Sequence, residues 1–494
     1  MKGWLTKQST LFFGFFFSLV FACFFISPVC SKESAALKNQ NASKAGLWFD
    51  IAPLIELTDR PSLTTTDNVS ADDLAWYYSR PSFITMGFQL HTGPLFAAMS
   101  IELQQDVGEL FLGGSLTNLL VTHDWSEPCF SNNYPSVGFL EGRDQGWFFS
   151  LGRRAINMGP GEYSLTLSSQ NPWYDHFLGE LSAPLDTGSL TYDFLAVNVQ
   201  NRSNNANNGK YFFMHRIQAR FPIFSIGISE YNLVTRSPLD FQDIGPFLVY
   251  HHLFASGSNV MIQLDAQVRP LDNVQLYAEG LMDDFQLSTE GTSSNPNAFG
   301  FHAGLEWAIQ PNSEDPYHRP RFFRKDYTTR IGASALEGAL VASLEWYLAS
   351  TYLYRRISSA SNQAYFARYF LQSQYFGTRI IEPWFAYPLG PDRMMFSGGI
   401  RYEKGKVAAS LGGSFLILGA ESEVQTYAKP YAKDWMGPQS PVTYNAQAKI
   451  ALEYLASSST LLWSCFSIEG TIENTAILNF SLGLVWRLGL GSLE

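Results

Sequence analysis

The chain has 494 residues, with 33 Lys and Arg against 44 Asp and Glu, and a net charge of -11. That balance excludes nucleic acid as a partner, because phosphate neutralisation needs clustered cations, and four cysteines are too few for a disulfide framework in so long a chain. Hydrophobic residues make up 46%, aromatic 15% and charged only 16%, against roughly 25% charged in ordinary soluble domains, a balance that suits strands with one apolar and one mixed face.

The N-terminus places Lys2 and Lys7 ahead of LFFGFFFSLVFACFFISP and then VCSKES. A charged start, an apolar middle and a small-residue exit read as a secretory signal peptide over residues 1–31, cleaved near Ser31 with Val29 and Ser31 at the small-residue positions. Cys30 is a poor lipidation site because bulky Val29 precedes it, and the apolar run is long enough to serve as an uncleaved anchor instead. Losing this segment removes two lysines and no acids, which leaves a charge of -13 and two cysteines, Cys129 and Cys465, able to form one disulfide. A short polar linker follows over 32–45, and no later stretch reaches the ~18 consecutive apolar residues of a transmembrane helix.

From residue 46 to 494 the periodicity is that of strands. Strands are expected to begin near Gly46, Ala75, Pro94 and Gly146. Residues 59–74 contain SADD, with Ser70 as the N-cap of a short helix; residues 106–145 are less periodic and suit a lumen plug or an external lid. In GWFFSLGRRAI, Trp147, Phe149 and Leu151 share one face, and Phe148, Ser150, Gly152 and Arg154 share the other. Arg154 therefore points to the polar interior, while Arg153 ends the strand on the lipid parity, to snorkel or be redirected by a bulge. Met158 to Gly161 reads as a turn and EYSLTLSS as the return strand.

Further strands are expected near Ser189, at FFMHRIQARF with Arg216, Gln218 and Arg220 on the polar face, and near Ile223. SNVMIQLDAQVRP sets Val260, Ile262, Leu264, Ala266 and Val268 against Met261, Gln263, Asp265, Gln267 and Arg269, a clean period of two. NVQLYAEGLMDD repeats it, with Gln275, Tyr277, Glu279 and Asp283 on the polar parity, and AFGFHAGLEWAIQ opposes His302 and Glu306 to its apolar residues. The series continues near Ser343, Tyr365 and Thr378, at MMFSGGIRYE with Arg401 and Glu403, near Lys406, Thr443 and Thr460, and ends in ILNFSLGLVWRLGL. NRSNNANNGK (201–210) and STEGTSSNPN (288–297) read as exposed loops, and 311–326 is a longer, less periodic segment that, like 59–74 and 106–145, suits a lumen plug or an external lid.

Roughly 16 to 20 strands over this length match an outer-membrane barrel with short turns and longer loops. The expected fold is therefore all-β: a transmembrane antiparallel β-barrel of about 18 strands, with irregular or helical segments occluding the lumen. A soluble sandwich gives the same alternation, but the export signal, the unbroken strand series and the Tyr and Trp of AWYY, EWYL and LVWR near strand ends favour the barrel. A closed sheet also satisfies its backbone in lipid, which places the chain in the outer membrane of a diderm bacterium.

No HExxH, P-loop, GxGxxG or GxSxG pattern occurs. Adjacent His251 and His252 point to opposite faces of a strand and make a poor metal site, so neither metal nor cofactor is expected. Ser168 and His176 are the nearest candidates for a serine hydrolase, on sequence proximity alone, and no enzymatic activity is expected.

The block containing Gly152, Arg153, Gly159, Pro160, Gly161, Leu165 and Ser168 resembles the Wzi family of capsule-assembly outer-membrane proteins. SIGISEYNLVTR, DIGPFLVYHH and the strands from Ser258 are similar to that family's middle strands, including Glu230, Pro246, Phe247, Asn259, Tyr277, Glu279, Asp283 and Asp284. The resemblance implies an eighteen-stranded barrel whose outer surface acts as a lectin for capsular polysaccharide, with no chemical step. The chain departs from the usual aromatic ending of outer-membrane barrels, finishing in Gly-Leu-Gly-Ser-Leu-Glu.

Two functions follow as expectations. Sugar binding would use loop aromatics, Trp125, Tyr134, Trp173, Tyr174, Tyr427 and Trp435, among amides and carboxylates. A porin-like channel would be lined by Arg154, Arg216, Arg220, Asp265, Arg269, Glu279, Asp283, Glu306, Arg401 and Glu403, unless these charges pair with one another inside a blocked barrel. The expected partners are outer-membrane lipid, surface polysaccharide and the barrel-assembly machinery.

Overall fold

The computed structural model describes residues 44–59, 69–109, 117–122, 124, 126–131, 137–199, 209–235, 258–271, 273–284, 295–309, 336–431, 436–471 and 476–491. Period-two segments here become one antiparallel wall, because alternate side chains of an extended chain face opposite ways. In chain order its strands are β1 (Lys44–Ile51, resuming at Leu54–Thr58), β2 (Ile84–Thr92), β3 (Leu95–Leu103), β4 (Gly138–Asp144), β5 (Trp147–Arg154), β6 (Tyr174–Leu185), β7 (Gly188–Asn198), β8 (Tyr211–Arg220), β9 (Phe224–Val234), β10 (Ser258–Leu271), β11 (Val274–Asp284), β12 (Ala298–Ile309), β13 (Leu336–Ala349), β14 (Arg393–Gly405), β15 (Val407–Leu418), β16 (Thr443–Ser457), β17 (Thr460–Thr471) and β18 (Ile477–Gly491). Each pairs with the next, and β18 returns to β1. The result is a closed barrel of 18 strands.

β1 keeps one register with β18 across its interruption, Ile51 opposite Trp486 and Leu54 opposite Gly483; Pro53, which has no N–H, sits in the gap. Inside that seam Arg487 donates to both oxygens of Asp50, Nε to Oδ1 at 2.7 Å and Nη2 to Oδ2 at 2.7 Å. Pairing with β1 makes the segment ILNFSLGLVWRLGL a full wall strand.

Outward residues are the apolar ones. On β18, Leu478, Phe480, Leu482, Trp486 and Leu488 are exposed, whereas Asn479 between them is buried. A strand of 15 residues such as β16 or β18 rises about 50 Å at ~3.3 Å per residue, enough to cross a ~25 Å apolar band even when tilted by ~45°. Exposed Trp307, Tyr402, Tyr444, Tyr454 and Trp486 lie toward strand ends, as interfacial aromatics do. This wall, apolar outside and edgeless, is an outer-membrane protein.

Most turns at one end are short: Gly93-Pro94, Gln145-Gly146, Asp186-Thr187, Lys406 and Ser458-Ser459. The other end carries the connections 59–83, 104–137, 155–173, 350–392 and 419–442, which by the convention of outer-membrane barrels is the extracellular end. Ser70 caps helix α1 (Ala71–Ser79) in a full capping box with Asp73, as SADD implied. Leu74 and Tyr77 of α1, Ile156, Met158, Leu165 and Leu167 of 155–173, and Tyr352, Tyr354, Phe366 and Phe385 of 350–392 join inward wall residues in one buried core. The core therefore fills the loop half of the lumen along β5–β14.

Several expectations are corrected. The strand placed near Ala75 is α1, so Trp76 and Tyr77 of AWYY belong to a helix rather than a girdle. Likewise Tyr347 of EWYL faces inward and is buried. EYSLTLSS is no return strand: it lies irregular inside the lumen and the return is β6. The strands placed near Tyr365 and Thr378 form a separate hairpin, Tyr369–Ser373 with Gly377–Ile381, outside the wall. Within 106–145, residues 138–144 are wall strand β4. Lys210, assigned to an exposed loop, is 3% exposed. Cys129 and Cys465 are both free thiols, not a disulfide. Residues 1–31 and 311–326, Pro246, Phe247, His251 and His252 lie outside the described residues.

Candidate functional site: a plugged lumen and the hairpin above it

The loop 155–173 folds on itself before it enters the wall's interior. Met158 N–H donates to Leu167 O at 2.9 Å, Asn157 Nδ2 to Gly161 O at 3.0 Å, and Thr166 N–H to Ser164 Oγ at 3.0 Å. Its tip, Gly159-Pro160-Gly161, is therefore not a hairpin turn between wall strands. The tip presses on the inner face of β11–β13. A Cβ on Gly161 would lie 2.7 Å from both Glu345 Oε1 and Tyr347 Oη and would overlap His302, and Gly159 adopts φ +154° beside Glu279. Only glycine allows that approach.

Beyond the tip, Glu162 N–H donates to Glu345 Oε1 at 2.9 Å and Tyr163 N–H to Tyr347 Oη at 3.2 Å. Tyr277 and Tyr347 also donate to Glu345, at 2.6 and 2.7 Å, and His302 Nδ1 lies 3.4 Å from Glu279 Oε2. A buried carboxylate survives when donors surround it, and Glu345 accepts from backbone and side chains alike. Sequence reading missed Glu345; its signal was the alternation Ser343, Glu345, Tyr347 in SLEWYL.

The charged residues expected in the lumen divide into two groups. In the first, charges pair with one another. Arg216 Nη2 lies 2.6 Å from Asp265 Oδ1 and its Nη1 3.7 Å from Asp193 Oδ2, all three nearly inaccessible. Arg154 pairs with Glu141 at 3.2 Å and lies 3.9 Å from the Phe139 ring centroid. Asp283 accepts from Tyr354 N–H at 3.2 Å and pairs with Arg356 at 2.9 Å, which ties 350–392 to β11. Arg153 is neither snorkelled nor free, since its Nε and Nη2 grip Asp175 at 2.5 and 2.8 Å.

In the second group, side chains stay at least partly open to water. Arg401 is exposed and pairs with Glu403, and Arg220, Arg269 and Glu306 are half-buried toward the short-turn end. These residues do not gather with Arg216, Asp265 and Glu279 into one lining.

Sugar platforms proposed from sequence are corrected too. Trp173 is 8%, Tyr174 2% and Tyr427 6% exposed: they are core residues, since Trp173 and Tyr369 meet edge to face at 5.5 Å and Tyr352 and Tyr427 do the same. Trp125, Tyr134 and Trp435 lie outside the described residues. His176 Nε2 lies 3.0 Å from Ser150 Oγ, while Ser168 Oγ accepts from Gln170 N–H, so the Ser168 and His176 pairing is not formed. Among the described residues no three metal-ligating side chains converge.

At the loop end the hairpin Tyr369–Ser373/Gly377–Ile381 stands on this core. Tyr369 Oη donates to Trp173 O at 2.8 Å, Ser373 Oγ to Asp106 Oδ1 at 2.6 Å, and Gln374 Nε2 to Cys129 Sγ at 2.8 Å. Arg368 Nε donates to Glu382 Oε1 at 2.6 Å at its base. Its tip offers Gln372, Gln374 and Tyr375 to solvent, with Arg379 stacked 5.4 Å from the Phe376 centroid. Lys210 braces the neighbouring turn from below, donating to Ala364 O at 2.7 Å with Phe366 3.3 Å from its ammonium. Burial pushes the Lys210 amine well below the usual lysine range.

No family model matches the chain, and no curated protein matches it. Among solved structures it is similar to Wzi of Escherichia coli, titled a carbohydrate-binding β-barrel involved in group 1 capsule assembly, at 13% identity over 88% of this chain and 83% of that one, with a TM-score of 0.49. It is similar also to OccAB2 of Acinetobacter baumannii at 10% identity over 91% and 98%, TM-score 0.41, and to a loop-deleted OmpT of Vibrio cholerae at 8% identity over 91% and 100%, TM-score 0.36.

Proposed function

We propose that this outer-membrane barrel retains surface polysaccharide at its loop end, without a chemical step, on the hairpin around Tyr375. The observation that carries the reading is the hairpin's anchoring: three side-chain hydrogen bonds and a buried aromatic core hold it on the plug. A flexible polyol loses conformational freedom when bound, so a receptor that is already rigid loses less affinity to ordering. The groups displayed are of the right kind. An aromatic face packs against the apolar face of a sugar ring, and amide and guanidinium groups hydrogen-bond its hydroxyls.

The resemblance of residues 152–168 to capsule-assembly barrels agrees with this reading. Its partners are then capsular or exopolysaccharide on one side, outer-membrane lipid around the wall, and the machinery that assembles such barrels. The test is glycan binding by purified protein, on a glycan array and on extracted surface polysaccharide. Tyr375→Ala and Arg379→Ala are each expected to weaken binding roughly two- to tenfold, the scale of one aromatic contact of about 0.5–1.5 kcal/mol. Undiminished binding by the double variant, still heat-modifiable on gels, would refute the assignment.

A further inference from the structure

We propose that the barrel also conducts small hydrophilic solutes, along an eccentric water-lined passage between the plug and the inner face of β14–β17. This is independent of the polysaccharide reading, since it concerns the lumen beside the plug's seat rather than the hairpin above it, and different residues.

The two sides of the interior differ in side-chain size and in wetting. On β7–β9 the inward positions at and above mid-height are buried, Leu195, Asp193, Met214 and Ser229 to at most 1% exposure, because 155–173 and 350–392 pack there. Midway along β14–β17 the inward positions include Gly399, Ser410, Gly412, Ser414 and Ser467, as the registers Gly399↔Gly412, Ser414↔Gln447 and Lys449↔Ser467 show, whereas Met395 and Ser397 toward the loop end of β14 and Leu461 of β17 are buried. Small residues leave space next to the wall. The side chains among them are correspondingly wet: Thr443 at the loop end, Gln447 and Lys449 at mid-height and Arg401 nearer the short turns are all exposed. Their inward direction is fixed by the same registers, since neighbouring Ile450 and Leu452 are exposed on the lipid face.

Exposure of inward side chains at successive levels from Thr443 to Arg401 needs water at each level. A column of water flanked by small polar residues is a conduction path, and its charge sets selectivity. Lys449 supplies a cation at mid-height, while Glu403 beside Arg401 and Glu453 lie toward the short-turn end. Solutes admitted are therefore small, polar and sensitive to the sign at position 449. The plug confines them to one side, so the conductance expected is well below that of an open barrel with as many strands.

The experiment is single-channel recording of the full-length protein, processed as the host processes it, in planar bilayers under a KCl gradient. The expected results are a steady ohmic conductance, a reversal potential shifted toward the cation limit by Lys449→Glu, and a reduced conductance in Gly412→Trp. Two results would overturn the proposal: silence of the unmodified protein in bilayers where heat-modifiability shows it folded, or a Lys449→Glu channel with an unshifted reversal potential. Glycan binding measured on the same preparations separates this outcome from failure of the polysaccharide reading.

Discussion

Arg216 stands between Asp265 and Asp193 in a part of the lumen closed by the plug. Removing one member of such a group costs more than the group adds, because the remaining charges stay buried without their counter-ion. Arg216→Ala is therefore expected to lower stability by about 3–5 kcal/mol, read as a fall in the temperature at which the protein changes mobility on gels. Arg216→Lys, which keeps the charge but not the forked geometry, should fall between. A variant as heat-resistant as the parent would show that the triad is not a structural lock. Parity in HRIQAR and QLDAQV was enough to turn Arg216 and Asp265 inward; their contact was not legible, because which strands are neighbours across β9 depends on pairing and not on either segment alone. The buried states of Trp173, Tyr174 and Tyr427 were hidden for a different reason. A polar connection reads the same whether it lies over the rim or folds beneath it.

At the scale of elements, the loop 155–173 explains why a strand-like pattern need not be a strand. In SLTLSS both parities are buried: Leu165 and Leu167 enter the core, while Ser164 Oγ donates to Met158 O and Thr166 N–H returns to Ser164. Alternation here separates residues that feed the core from residues that satisfy the loop's own backbone, which mimics the two faces of a sheet. The glycines gave the better signal, since two flanking a proline suit a tight approach as well as a turn. Gly161→Ala inserts a methyl group into Glu345, Tyr347 and His302. It is expected to unseat the tip while leaving the wall intact, so limited proteolysis should cut within 155–173 although the barrel still shifts on gels; full protection of the loop would contradict the contact. The capping box of α1 was legible because its signature is local, whereas the hairpin bearing Tyr375 depends on contacts with residues 106, 129 and 173 far away in sequence.

For the whole molecule, closure follows from pattern and count together. Eighteen strands with one apolar face have no edge left once β18 meets β1, and lipid then touches only the outward parity. The composition, low in charge and rich in aromatics, is what two differently wetted faces require. Occlusion of the lumen by irregular segments was expected, but that 155–173 and 350–392 supply much of the filling was not legible, because those connections carry ordinary loop or strand-like compositions. Their burial is decided by the lumen they find.

The most direct measurement is a nitroxide scan of β18 in lipid bilayers, one label at a time from Leu478 to Leu484, comparing collisions with oxygen and with a water-soluble nickel chelate. Labels at 478, 480, 482 and 484 should favour oxygen and those at 479, 481 and 483 should not, an alternation with period two. Equal access to the chelate at all seven positions, or a period near 3.6, would contradict a lipid-facing strand in a closed wall.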